Sequence, residues 1–226
     1  MADSLPLFPL QAVLLPGANL PLHVFEPRYR QLTMDMISGK LPDMTFGIIA
    51  LRPSVDREVT EVDQLHAVGC SARLREAERL PDGRFDIITT GERRFRLLEL
   101  DTTSAPYLMG AVEWVPDTEQ STAAAESVSA LAESARSAHR RYCTAAWKSE
   151  DWTEPAADTD TCHLAHQLAA DCLLSLDDRQ DLLEEVRPLH RLRMVGRLLN
   201  REAGFLSALR AVPAPPAHFT DPINLN

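Results

Sequence analysis

The chain has 226 residues, 45% hydrophobic and 25% charged, a globular composition that excludes disordered, collagen-like and disulfide-scaffold chains and allows one large domain or two small ones. Acidic residues outnumber basic ones 33 to 23, for a net charge of −10, which opposes phosphate backbones on average and disfavours a general nucleic-acid binder. The four cysteines show no C-x-x-C spacing, Met1-Ala2-Asp3-Ser4 opens no leader-like segment, and no apolar run reaches the roughly 18 residues of a membrane span. The expectation is a cytoplasmic protein with reduced thiols and no membrane contact.

Up to residue 117 the apolar residues come in short runs between turn formers, the pattern of several strands. Residues 5–10 and 20–25 are extended pieces whose Pro6, Pro9 and Pro21 suit edges or bulges, because proline cannot donate to a ladder. Pro27 opens a helix that runs to about Ile37. Residues 44–51 read as a buried strand. Residues 66–79 and 84–90 flank Leu80-Pro81-Asp82-Gly83, where proline presets one turn dihedral and glycine accepts a positive φ, predicting a hairpin. Gly91 is expected to separate this hairpin from a further strand over 93–100, and residues 107–115 close the β half.

After Pro116-Asp117-Thr118 the period changes from two to about 3.6 residues. Val128, Leu131, Ala135, Ala138, Tyr142 and Ala146 share one face of a long amphipathic helix. An acidic connection over 150–160 follows, then helices over 162–174 and 177–187, the latter opened by Ser175 and Asp178 in a capping-box arrangement. Pro188 starts a last helix with Leu189, Leu192, Gly196, Leu199, Ala203 and Leu206 on one face. The resulting division is a β domain over 1–117, a helical bundle over 118–212 and a Pro-rich tail over 213–226.

The run Leu5-Pro6-Leu7-Phe8-Pro9-Leu10, then Val13-Leu14-Leu15-Pro16-Gly17, then Leu20-Pro21-Leu22-His23-Val24-Phe25-Glu26-Pro27-Arg28-Tyr29-Arg30 resembles the opening of the Lon protease N-terminal, or substrate-binding, domain. Pro81-Asp82-Gly83-Arg84, Gly91-Glu92-Arg93-Arg94-Phe95-Arg96, Tyr107 and the segment Arg179-Gln180-Asp181-Leu182-Leu183-Glu184 are similar to later parts of the same domain. The resemblance implies an α+β fold, a PUA-like β pseudo-barrel followed by a C-terminal helical bundle. It further implies a non-catalytic module for unfolded or client proteins and peptides, presenting them to a separate protease or serving as a scaffold, with no cofactor and no metal. The ATPase and Ser-Lys protease parts of Lon have no counterpart: no G-x-x-x-x-G-K-[ST] motif occurs, and Lys40 near Ser38 and Lys148 beside Ser149 match no part of the family's protease motif.

Within that frame His23, Phe25, Glu26, Arg28 and Tyr29, together with Arg94, are the candidate substrate-binding residues, since aromatic and charged side chains this close together can line a groove for an extended peptide. The competing reading packs Phe25 and Tyr29 into the core and pairs Glu26 with Arg28 or Arg94. The stretch from Arg73 to Arg96 carries seven arginines against five acids. It is an alternative RNA-binding face, or the wet side of a hairpin. Cys162 and His166 are helical i, i+4 neighbours, but two ligands make no structural zinc site and interior cysteine is the favoured account. Trp147 and Trp152 would anchor a partner at the acidic loop if both were exposed. A hydrolase would require a pocket that brings His23 to a serine or cysteine.

Overall fold

The structure, a computed structural model, describes residues 3–41, 43–53, 59–118, 125–147 and 152–209. Lys148, Ser149 and the expected tail over 213–226 lie outside the described residues. The fold is α+β. Strands β1 (Asp3–Leu10), β2 (Asn19–Val24), β3 (Thr45–Ala50), β4 (Val68–Arg79), β5 (Phe85–Asp101) and β6 (Met109–Trp114) form one sheet in the order β2-β5-β4-β3-β1-β6. The first part of β5 pairs with β2 and its last part with β6, so the sheet curls back on itself as a pseudo-barrel.

Two features of the strands depart from the sequence reading. A single strand, β5, runs through Gly91 where two strands were expected. Gly91 is a site of close approach: its N–H donates to the Ala18 carbonyl, its own carbonyl accepts from Gly17, and a Cβ there would lie 2.3 Å from the Leu15 carbonyl oxygen. The glycine therefore admits a neighbouring backbone instead of ending the strand. Likewise β1 is an interior strand although it holds Pro6 and Pro9. Its residues 3–6 pair with β6 and its residues 7–10 with β3, so each half has a one-sided ladder in which a missing N–H is tolerated. The prolines in β1 mark a change of partner, whereas Pro21 does lie on β2, the terminal strand in the order. The hairpin turn at 80–83 forms as expected, with Gly83 at φ +81°.

Helices α1 (Pro27–Ile37), α2 (Ala125–Ala146), α3 (Thr161–Ala170), α4 (Leu176–Glu184) and α5 (Pro188–Leu209) complete the chain. Ser175 caps α4, its Oγ accepting from the Asp178 N–H. Helix α3 stops four residues short of the expected end, because the Leu173 N–H donates to the buried Tyr142 hydroxyl, 2.8 Å away. The end of α4 comes three residues early for a related reason: the Leu183 and Glu185 carbonyls accept from buried arginines.

The change of period near residue 117 separates two kinds of secondary structure but not two cores. One cluster of buried side chains runs from Leu15, Val24, Phe46 and Ile87 in the β half through Tyr142, Leu164, Leu183 and Leu199 in the helices. A second cluster, with Leu7, Ile49, Phe95, Leu97 and Val112, belongs to the β half alone.

Candidate functional site

The junction of β2 with α1 divides the candidate residues by the direction each faces. His23 lies opposite Asp86 of β5, with Nδ1 2.6 Å from Asp86 Oδ1 and Nε2 3.0 Å from Arg84 Nη1. A guanidinium can only donate, so Nε2 accepts and Nδ1 carries the hydrogen shared with Asp86. Phe25, two residues on, is 60% exposed, its ring centroid 6.4 Å from that of His23. Ile88, two residues beyond Asp86 on β5 and opposite Pro21, is 39% exposed. Side chains two apart along a strand share a face, so Pro21 and Ile88 lie on one side of the polar His23–Asp86–Arg84 cluster, and Phe25, the residue after β2, lies against His23 on the other. Met34 and Ile37 of α1 are exposed as well.

The next residues turn inward or toward one another. Tyr29 is buried and stacks on Phe8, centroids 3.9 Å apart at 18°. Arg28 lies over the Tyr29 ring and donates from Nε to Glu26 Oε2 at 3.0 Å. The structure therefore sends His23 and Phe25 outward, pairs Glu26 with Arg28, and places Tyr29 in the core. Ile88 escaped sequence reasoning although its signal was present: it has the outward parity of Asp86 in the alternating run of β5.

Arg94 is brought to a different place. It is buried, and its Nη2 donates to Asp117 Oδ1 at 2.5 Å while Nη1 donates to the Leu183 and Glu185 carbonyls at 3.1 and 2.9 Å. Arg191, fully buried on α5, donates to both Asp117 oxygens, at 2.8 and 2.9 Å, and to the Glu185 and Cys162 carbonyls. One carboxylate thus holds two guanidiniums, tying β5, the strand-to-helix connection, α3, the end of α4 and α5 together. Burial pulls the Arg94 guanidinium down and Asp117 opposes that pull.

Glu185 extends this junction. Hydrogen bonds from the Arg187 side chain, with further help from the Arg187 N–H and His190, outweigh burial and hold its carboxyl at about 2 instead of the usual 4.5. A folded value below the unfolded one means that the folded state binds fewer protons between them. The stability from Glu185 is therefore complete above 4.5 and is lost as pH falls from 4.5 towards 2. Glu185→Gln is expected to flatten the pH dependence of the urea midpoint across that window; an unchanged slope would remove Glu185 from the acid response.

The remaining candidates have structural partners. Lys40 Nζ lies 2.9 Å from the buried Asp35 carboxylate, a charged pairing opposite to the desolvated amine of a Ser-Lys nucleophile. Burial pushes Asp35 up, but hydrogen bonds from Lys40, Gln31 and Tyr107 prevail and lower it. Cys172 lies beyond α3 and its thiol donates to the Leu168 carbonyl at 3.2 Å, while the buried Cys143 thiol lies 3.5 Å from His139 Nε2. Buried His166 faces the Leu182 carbonyl at 3.4 Å, and among the described residues no group of three or more His, Cys, Asp or Glu is placed to hold a metal. Trp147 and Trp152 are half-buried against the core, Trp152 edge-on to His139, so they do not form the exposed pair a partner anchor would need. Along the arginine-rich stretch, Arg73 and Arg75 pair with Glu92 and Arg84 pairs with Asp82. His23 has Asp86 and Arg84, not a serine or cysteine, as its partners. Among the described residues no helix is long and apolar enough to cross a membrane.

The family profile of the ATP-dependent protease La (LON) substrate-binding domain matches residues 4–201. The chain belongs to the Lon substrate-binding domain family. It is 30% identical over 212 residues to Lon protease of Anaeromyxobacter dehalogenans, covering 89% of this chain and 24% of that protein. Lon protease 2 of Myxococcus xanthus is 28% identical with the same coverage. The chain thus spans about a quarter of the Lon proteases it matches. Among solved structures, the Lon N-terminal domain protein from Xanthomonas campestris superposes with a TM-score of 0.59 at 26% identity, covering 93% of this chain and 99% of that one. The N-terminal domain of Mycobacterium avium complex Lon protease superposes at 0.61 with 20% identity, a likeness of fold, over 87% and 98% of the two chains.

Proposed function

We propose that this Lon substrate-binding domain protein is a non-catalytic module that holds unfolded or extended protein segments on the outer face of β2 and β5, for hand-over to a separate protease or for assembly. The observation that carries the reading is the exposure of Phe25 at one end of the His23–Asp86–Arg84 cluster and of Ile88, opposite Pro21, at the other. An exposed aromatic held in the two-residue connection between β2 and α1 supplies apolar contact without the entropy cost of ordering a long loop. β2 also ends the strand order, a position from which extended clients add by backbone pairing. An unfolded client loses conformational entropy on capture, so affinity is moderate unless several modules act together.

Fluorescence anisotropy with a labelled, reduced and carboxymethylated model protein tests this. Phe25→Ser is expected to weaken binding roughly tenfold or more, since burying a phenylalanine contributes about 1.5–3 kcal/mol. The thermal midpoint should stay unchanged, because Phe25 is exposed. Unchanged affinity in the variant would contradict the assignment of this face.

A further inference from the structure

A cleft of about 420 Å³ opens where β5 and β6 meet α3, away from the β2 face, lined among others by Arg93, Arg94, Trp114, Pro116, Asp117 and His163. Its charge is unbalanced. Glu92 in the wall is engaged by Arg73, and Asp117 spends both oxygens on Arg94 and Arg191. Behind the wall two guanidiniums therefore share one carboxylate. Arg93 adds a third cation. Its guanidinium lies 4.1 Å from the centroid of the Trp114 ring, and among the described residues no carboxylate pairs with it. The ring holds the fork flat, leaving its N–H edge for a planar anion.

His166, also in the wall, responds to this field: burial first, then the charges of Arg191 and Arg94, keep its imidazole neutral. Asp160 already caps α3, accepting from the Cys162 N–H, so the receptor for an anion is the guanidinium and not the helix end. Beside Arg93 the indole of Trp114, with Val115, Pro116 and Pro16, provides apolar wall. The site joins a cation with no carboxylate in ion-pair contact to an apolar wall whose one polar edge, the Trp114 N–H, is already taken by the Asp3 carboxylate, within a volume that suits a chain end better than a long acidic run, which the net charge of −10 would repel.

We propose that this cleft binds the C-terminal carboxylate of a peptide whose last residue is apolar, with Arg93 receiving the carboxylate and Trp114 receiving the side chain. This is a second binding site, distinct from the Phe25 face and independent of it.

The test is a calorimetric titration of the full chain with the peptide Ac-Gly-Ser-Gly-Ala-Leu bearing a free carboxylate, with its C-terminal amide, and with an amidated peptide carrying glutamate in place of alanine. Saturable binding of the free acid is expected, weakened roughly tenfold by amidation or by Arg93→Gln, the size of effect that follows loss of one charge-assisted hydrogen-bonding group. Arg93 is exposed, so the thermal midpoint of Arg93→Gln should match that of the parent. Phe25→Ser should leave this affinity intact, which separates failure of this site from failure of the β2 face. Equal affinity for acid and amide, binding of the glutamate amide as tight as the free acid, an unaffected Arg93→Gln protein, or no saturable binding would each overturn the proposal.

Discussion

Asp117→Ala is expected to lower the unfolding free energy by about 3–5 kcal/mol, the range for removing one partner of a buried ionic group. The magnitude follows from burial. The Arg94 and Arg191 side chains are 4% and 0% exposed, and without Asp117 both guanidiniums retain only backbone carbonyls as acceptors. A surface pair such as Arg84–Asp82, with both side chains about half exposed, would by contrast lose roughly 0.2–1 kcal/mol. Because the cluster joins β5 to α3, α4 and α5 across a continuous core, the loss should appear as a lower urea midpoint in one transition shared by both halves. A change below about 1 kcal/mol would mean that the junction behaves like a surface pair.

The second large effect is expected at Phe95. Its side chain is fully buried in the cluster that belongs to the β half alone, so Phe95→Ala should cost about 3–5 kcal/mol through lost burial and the cavity left behind. The surrounding positions are shaped to the ring. A Cβ at Gly47 would lie 2.8 Å from both Phe95 Cζ and a Leu7 methyl carbon. Gly47→Ala should therefore destabilise the parent by overpacking, and do so less in the Phe95→Ala background, where one of those atoms is gone. The two changes are expected to be non-additive in denaturant unfolding. Strict additivity would contradict this account of the packing.

Those two sites show which parts of the fold are visible in the chain and which are not. Helix α1 starts at Pro27 and ends at Ile37 as its pattern predicts, and the turn at Gly83 falls where Pro81-Asp82-Gly83 places it. Such features are local: a fixed φ, a missing N–H and a periodic face are properties of a few neighbouring residues. The misreadings arose where distant chain segments decide the matter. Gly91 looks like a breaker until the Leu15 carbonyl is seen against it. Pro6 and Pro9 look like edge residues until β1 is seen to change partner between them.

The candidate site divides in the same way. His23 and Phe25 are legible as a pair two apart in one extended run, but the residues that complete their surface, Asp86, Arg84 and Ile88, lie some 60 residues away in sequence and depend on the β2–β5 register. Arg94 carries the same charge as its exposed neighbour Arg93. Only the approach of the α4 end and of Asp117 to Arg94 makes one a buried tie and leaves the other at an open cleft.

The client-binding reading meets its most direct test in site-specific photocrosslinking. A photoreactive phenylalanine analogue replaces Phe25 in one protein and Phe205 in another, two phenylalanines of similar exposure, 60% and 54%, the latter on α5. Each protein is irradiated with the labelled, carboxymethylated model polypeptide. Strong crosslinking is expected from position 25, suppressed by excess unlabelled polypeptide, and only background from position 205. Equal crosslinking at both positions, or crosslinking from position 205 alone, would contradict it.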